Sequence, residues 1–193
     1  LTLSADITSD LLHEANKGYH TDINDLLLTA LTLALAKALS TSVNHITLEG
    51  HGREPIDATL DVSQTLGWFT TMYPVRLEAG ESIEDTLIRT KEMLHAVPMK
   101  GVGYSALRQH GALQGELPRL SFNYLGQFGA DSDADWQILG GNTGLTISPK
   151  NTSHLVLDVN GAVQNGQLKF GVMSRLSNCL LYTSPSPRDL STS

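Results

Sequence analysis

The segment that most limits how this chain can fold runs from Asp22 to Leu39, Asp-Ile-Asn-Asp-Leu-Leu-Leu-Thr-Ala-Leu-Thr-Leu-Ala-Leu-Ala-Lys-Ala-Leu. Asp22, followed three residues later by Asp25, heads an apolar run, an arrangement that satisfies the free amides of a helix start. The helix predicted over 23–39 is apolar almost all round, so it must be enclosed by other elements instead of lying on a surface. It is no membrane span: the longest apolar run, Leu26 to Leu39, is interrupted by Thr29, Thr32 and Lys37 and is too short. With 193 residues, 40% of them hydrophobic, the chain has enough material for one such enclosing domain.

The other elements alternate between helix and strand. Leu1 to Ser4 reads as the end of a strand and 7–17 as a helix. A strand leading into an active turn follows over 45–53, then a loop over 55–63 and an extended segment over 67–77, rich in Trp, Phe, Thr, Tyr and Val. Ser82 with Asp85 opens another helix, acidic early (Glu81, Glu84, Asp85) and basic late (Arg89, Lys91), as the helix dipole favours. Its apolar stripe is Ile83, Leu87, Leu94 and Val97, and Pro98 stops it. A short helix over 104–110 and a strand over 119–128 come next, then a loop over 129–142. Segments 155–163 and 167–173 form a hairpin turned by Asn165-Gly166, residue types that tolerate positive φ. The class is α/β with no internal repeat.

The formal charge of −7, without a Lys/Arg cluster, argues against a nucleic-acid surface. No basic segment followed by an apolar run opens the chain, so no signal peptide is expected, and a cytoplasmic, reducing setting with no membrane association follows. From the single cysteine, Cys179, the chain reads Cys-Leu-Leu-Tyr-Thr-Ser-Pro-Ser-Pro-Arg-Asp, which resembles the translation of a transposon-derived sequencing adapter. Residues 179–193 are therefore set aside as an adapter or linker tail, expected to be disordered.

Chemistry is expected in Ile46 to Glu54, Ile-Thr-Leu-Glu-Gly-His-Gly-Arg-Glu. Alternation in a strand sends Ile46 and Leu48 to one face and Thr47 and Glu49 to the other. Gly50 and Gly52 let backbone and ligand approach closely around Glu49, His51 and Arg53. Taken alone, the same residues suit a strand end and a solvated turn better; the stretches that accompany them reverse that.

Three further stretches accompany it: Asp61-Val-Ser-Gln-Thr-Leu-Gly-Trp-Phe-Thr-Thr-Met-Tyr-Pro-Val75, Pro98-Met-Lys-Gly-Val-Gly-Tyr104, and Phe122-Asn-Tyr-Leu-Gly-Gln-Phe128. In this order the four resemble the successive motifs of the epimerization domain of nonribosomal peptide synthetases, a branch of the condensation-domain superfamily. The likeness extends from Leu1 to about Leu176. Ser105 departs from the glycine expected after Gly103-Tyr104.

The resemblance implies a chloramphenicol-acetyltransferase-like lobe, a mixed sheet flanked by helices, occupying residues 1–178. It is the C-terminal lobe of a two-lobed domain whose active site lies in a tunnel between the lobes. The adjacent histidine pair of the other lobe is not encoded here: His13, His20, His45, His51, His95, His110 and His154 are scattered. This lobe alone is then expected to be inactive. The implied reaction is L-to-D inversion at the α-carbon of an aminoacyl or peptidyl thioester. The substrate is carried on the 4'-phosphopantetheine arm of a peptidyl carrier domain, with no bound cofactor and no metal.

Glu49 matches the catalytic carboxylate, and Asn123 and Tyr124 match positions associated with activity. Asn123 is read as an amide donor to the thioester oxyanion. Tyr124, pointing to the opposite face of a regular strand, needs a bulge or simply packs with Leu120 and Phe122. Arg53 either orients Glu49 or binds the substrate carbonyl. His51 is placed with Arg53 among the substrate-binding residues, as one that shapes the turn and holds no metal, having no partner at metal spacing. Trp68, Phe69 and Tyr73 are read as tunnel wall or packing. Gly101-Val-Gly-Tyr104 lacks the strand-to-helix context of a dinucleotide loop. The rival readings are an amide-forming condensation domain, whose corresponding element runs into Val-Asn-Thr, and a non-catalytic lobe that docks the carrier.

Overall fold

The computed structural model describes residues 1–128, 144, 145, 148 and 150–175; the loop expected over 129–142 and the tail from Cys179 lie outside them. The elements are α1 (Ala5–His13), α2 (Ile23–Leu39), β1 (Val43–Gly50), β2 (Thr71–Glu78), α3 (Ile83–Ala96), a 3-10 turn (Pro98–Gly101), α4 (Tyr104–Gln109), β3 (Leu120–Phe128), β4 (Leu157–Gln164) and β5 (Gln167–Ser174). The strands form one mixed sheet ordered β2-β1-β3-β4-β5. The outer pairs, β1 with β2 and β4 with β5, are antiparallel, and the inner pairs, β1 with β3 and β3 with β4, are parallel.

Helix α2 has the bounds its sequence predicts. The Asp25 carboxylate accepts from the Asp22 amide at 2.8 Å, and burial raises the proton affinity of that carboxylate. Leu27, Leu28 and Leu35 are buried, as are Thr29 and Thr32, whose hydroxyls donate to the carbonyls of Asp25 and Leu28 one turn earlier. A hydroxyl satisfied in this way can enter a core without leaving an unpaired donor. Leu28 joins Ile46, Leu77, Phe122 and Leu168 as the most deeply buried apolar side chains. Each removes apolar surface worth about 1.5–3 kcal/mol from water.

Several boundaries differ from the sequence reading. Helix α1 starts before position 7, because Ser4 caps it, its hydroxyl accepting from the Ile7 amide at 3.3 Å, and it ends at His13 instead of 17. Its Thr8 hydroxyl accepts from the Leu168 amide at 2.9 Å and so docks the helix on β5. As expected, the first residues are strand-like, Thr2 bridging Lys169. Strand β2 begins at Thr71 and not at Gly67, since its partner β1 ends opposite Thr71, at Gly50. Residues 67–70 thus have no strand to pair with. In α3, Ser82 caps the helix through the Asp85 amide, but Ile83 is 71% exposed and the buried face is built on Thr86, Leu87 and Thr90. The Asn165-Gly166 turn of the hairpin is as predicted, with φ of 51° and 73°.

Candidate active site

Parallel pairing of β1, β3 and β4 aligns a row of polar side chains on the face of the sheet opposite Ile46, Leu48 and Phe122. Thr47 stands beside Ser121, and continuing that register brings Glu49 beside Asn123, which in turn is level with Asn160 of β4. The Asn123 amide Nδ2 donates to Glu49 Oε2 at 3.0 Å. Glu49 is half-buried, and its proton affinity is raised above the ordinary carboxylate range, first by burial and then by the negative charge of Asp158. Asp158 lies on β4 level with Ser121, one row back on the same face.

A carboxylate in this setting is held by one donor, relieved of part of its hydration and opposed by a like charge. It can therefore both accept and return a proton at a pH nearer neutrality than a solvated glutamate. Among the described residues, no group of three or more His, Cys, Asp or Glu side chains is placed to hold a metal ion. No helix there is long and apolar enough to cross a membrane.

Beyond Glu49 the chain turns sharply. Gly52 has φ of 68°, and a Cβ there would sit 1.7 Å from the Phe69 carbonyl oxygen. This glycine makes room for the chain's own backbone where a ligand was expected. Arg53 is likewise committed to the loop. Its guanidinium donates to the Val62 carbonyl and, at 3.3 Å, to that of Gly67, and it stacks 4.2 Å from the centre of the Phe69 ring. The sequence reading turns it toward Glu49 or a substrate carbonyl; three contacts with segment 62–69 hold it elsewhere. His51 shapes the turn: Nδ1 accepts from the Arg53 amide at 3.0 Å and Nε2 faces Glu54 Oε1 at 2.9 Å.

The structure therefore brings Glu49 and Asn123 together and separates Tyr124 from them. Tyr124 packs against the core cluster, on the face strand alternation dictates. A register shift does occur in β3, but between Tyr124 and Gln127, with Gly126 at φ 89°, too late to turn the tyrosine round. Tyr73 is buried and Phe69 lies under Arg53, both as packing residues. Trp68 is 92% exposed, because residues 67–70 lie beyond the paired part of β2. Asp158 was missed in the sequence, although the alternating run Leu157-Asp-Val-Asn160 marks a strand with two polar groups on one face.

The condensation-domain family model matches residues 1–173. The chain is 41% identical over 177 residues to tyrocidine synthase 2 of Brevibacillus parabrevis, across 86% of this chain and 5% of that protein. It is 37% identical over 175 residues to bacitracin synthase 3 of Bacillus licheniformis, across 87% and 3%. The solved epimerization domain from the third module of tyrocidine synthetase B superposes with a TM-score of 0.83 at 38% identity, across 94% of this chain and 43% of that one. The chain thus spans a small part of these curated relatives and less than half of the solved domain. The shared fold and a match running along nearly the whole described chain lead to one placement: the chain belongs to the condensation-domain family.

Proposed function

We propose that this chain is the C-terminal lobe of a nonribosomal peptide synthetase domain that epimerizes the α-carbon of an aminoacyl or peptidyl thioester carried on the phosphopantetheine arm of a carrier domain. The observation that carries the reading is the Glu49–Asn123 pair, a half-buried carboxylate with raised proton affinity held by an amide donor. The likeness at 38% identity to an epimerization domain supports it. Removing an α-proton leaves an enolate-like oxygen, so the site needs a base for the proton and a hydrogen-bond donor for the oxygen.

Glu49 takes the base role on one face of the α-carbon, and inversion requires a proton to be delivered to the opposite face. Asn123 Nδ2 carries two N–H donors; one orients Glu49, and the second is assigned to the thioester oxygen. Tyr124 is given no chemical step, and Arg53 and His51 serve by shaping the loop that borders the site. The remainder of the domain supplies the opposite wall and the second proton-transfer group.

The test joins this lobe to its native N-terminal lobe, presents a carrier domain loaded with an L-aminoacyl group, and determines the configuration of the released acid. Formation of D-isomer is expected. Amide product with no D-isomer would overturn the reading in favour of condensation, the chemistry named by the matching family model.

A further inference from the structure

Pro98–Gly101 lies against α3 and β2 in an uncommon conformation. Met99 (φ 47°), Lys100 (φ 46°) and Gly101 (φ 81°) are left-handed in succession, a region disfavoured for residues with side chains. Such a turn persists only where its surroundings hold it. Gly101 is held by shape: its backbone lies so close to the Tyr73 ring that a Cβ would come within 2.0 Å. Lys100 is held by charge. Its Nζ lies 3.5 Å from Glu54 Oε1, the same oxygen that His51 Nε2 approaches at 2.9 Å. The Glu54 side chain is only 13% exposed.

The turn bears on the catalytic strand through Gly50. The Lys100 carbonyl oxygen lies 3.6 Å from where a Gly50 Cβ would stand. That is the side of the strand opposite the Glu49 side chain. Buried Tyr73 completes the arrangement: its hydroxyl holds its proton more tightly through burial and through the charge of Glu54.

We propose that Glu54 is a positioning residue, tying the turn after β1, through His51, to the left-handed turn, through Lys100, and so fixing the backbone at Gly50 beside Glu49. This rests on the reading of Glu49 as the base. Lys100 is largely exposed, so its pairing contributes little to global stability. The effect of losing it is local.

Two measurements test this. In the full 193-residue chain, hydrogen–deuterium exchange of the amides over 99–103 is expected to rise several-fold in Glu54→Gln and in Lys100→Met. It should stay near wild type in Lys100→Arg, which keeps the cation, and exchange in β3 and β4 should not change. In the two-lobed domain, Glu54→Gln and Lys100→Met are expected to lower kcat about tenfold to a hundredfold with KM for the loaded carrier unchanged, and Lys100→Arg to retain activity. Unchanged exchange over 99–103 would overturn the tie, and raised exchange with unchanged kcat would overturn its positioning role. A wild-type two-lobed domain that fails to epimerize would overturn the epimerase reading instead, leaving the exchange data to decide the tie alone.

Discussion

Replacing Asn123 with alanine takes one hydrogen bond from Glu49 and leaves the apolar core intact, because Asn123 lies on the polar face of β3. The bond removed is Nδ2 to Oε2 at 3.0 Å. A hydrogen bond to an ionised group is worth about 1.5–3 kcal/mol net. At 1.36 kcal/mol per factor of ten, loss of that bond should lower α-proton exchange by about 10- to 150-fold, and loss of the N–H assigned to the thioester oxygen adds to the fall. Loss of a donor also favours the neutral acid. Burial and Asp158 already push Glu49 in that direction, so the pH at which the base becomes active moves upward, and the deficit is larger in acid than in alkali.

The assay is deuterium incorporation at the α-carbon of a carrier-bound aminoacyl thioester in the two-lobed domain, followed by mass spectrometry across a pH series, with thermal melting to confirm folding. Asn123→Asp is the companion variant. It places a second carboxylate beside Glu49 and shifts the activity profile further toward alkali. A well-folded Asn123→Ala protein that exchanges within about twofold of wild type at every pH would refute the role given to this pair.

Glu49→Gln should raise the stability of the chain near neutral pH. The folded state holds the Glu49 proton more tightly than the unfolded chain does, so stability falls as pH rises from the ordinary carboxylate value to the raised one. The variant lacks that loss: it should melt above wild type at about pH 7 and converge with it at about pH 4, and an unchanged difference between the two would contradict the raised affinity. Gly52→Ala combines a left-handed φ with a Cβ 1.7 Å from the Phe69 oxygen, and should cost at least about 2 kcal/mol in urea denaturation; a neutral result would mean the turn is not packed as described. Leu66 at 100% exposure and Trp68 at 92% should make the chain self-associate. Leu66→Ser with Trp68→Ser should relieve this in light scattering, and a monodisperse wild-type chain would argue otherwise.

Elements announced by local chemistry were legible in the sequence. The Asp22–Asp25 pair and the unbroken apolar run define α2, Asn165-Gly166 defines the hairpin, and alternation around Ile46 and Leu48 sends Glu49 to the face opposite the core. What misled was whatever depended on a distant partner. The end of β1 sets where β2 begins. Ile83 occupies a plausible stripe position, yet the buried face of α3 centres on Leu87 and two threonines, of which Thr86 enters the core by bonding the Ser82 carbonyl one turn earlier. Arg53 reads as a substrate contact by its nearness to Glu49 along the chain, and only the path of segment 62–69 shows where its guanidinium is held.

The order of residues alone determined which side chains could be chemically useful, because capping, alternation and turn propensity act over a few residues. Tertiary structure decided which of them meet. Glu49 and Asn123 are separated by 74 positions, and Asp158 reaches the same face from a third strand. Parallel pairing across β1, β3 and β4 is fixed by long-range register, which no short stretch of sequence encodes, and that register gives Glu49 its donor, the burial that raises its proton affinity and the like charge that adds to the rise.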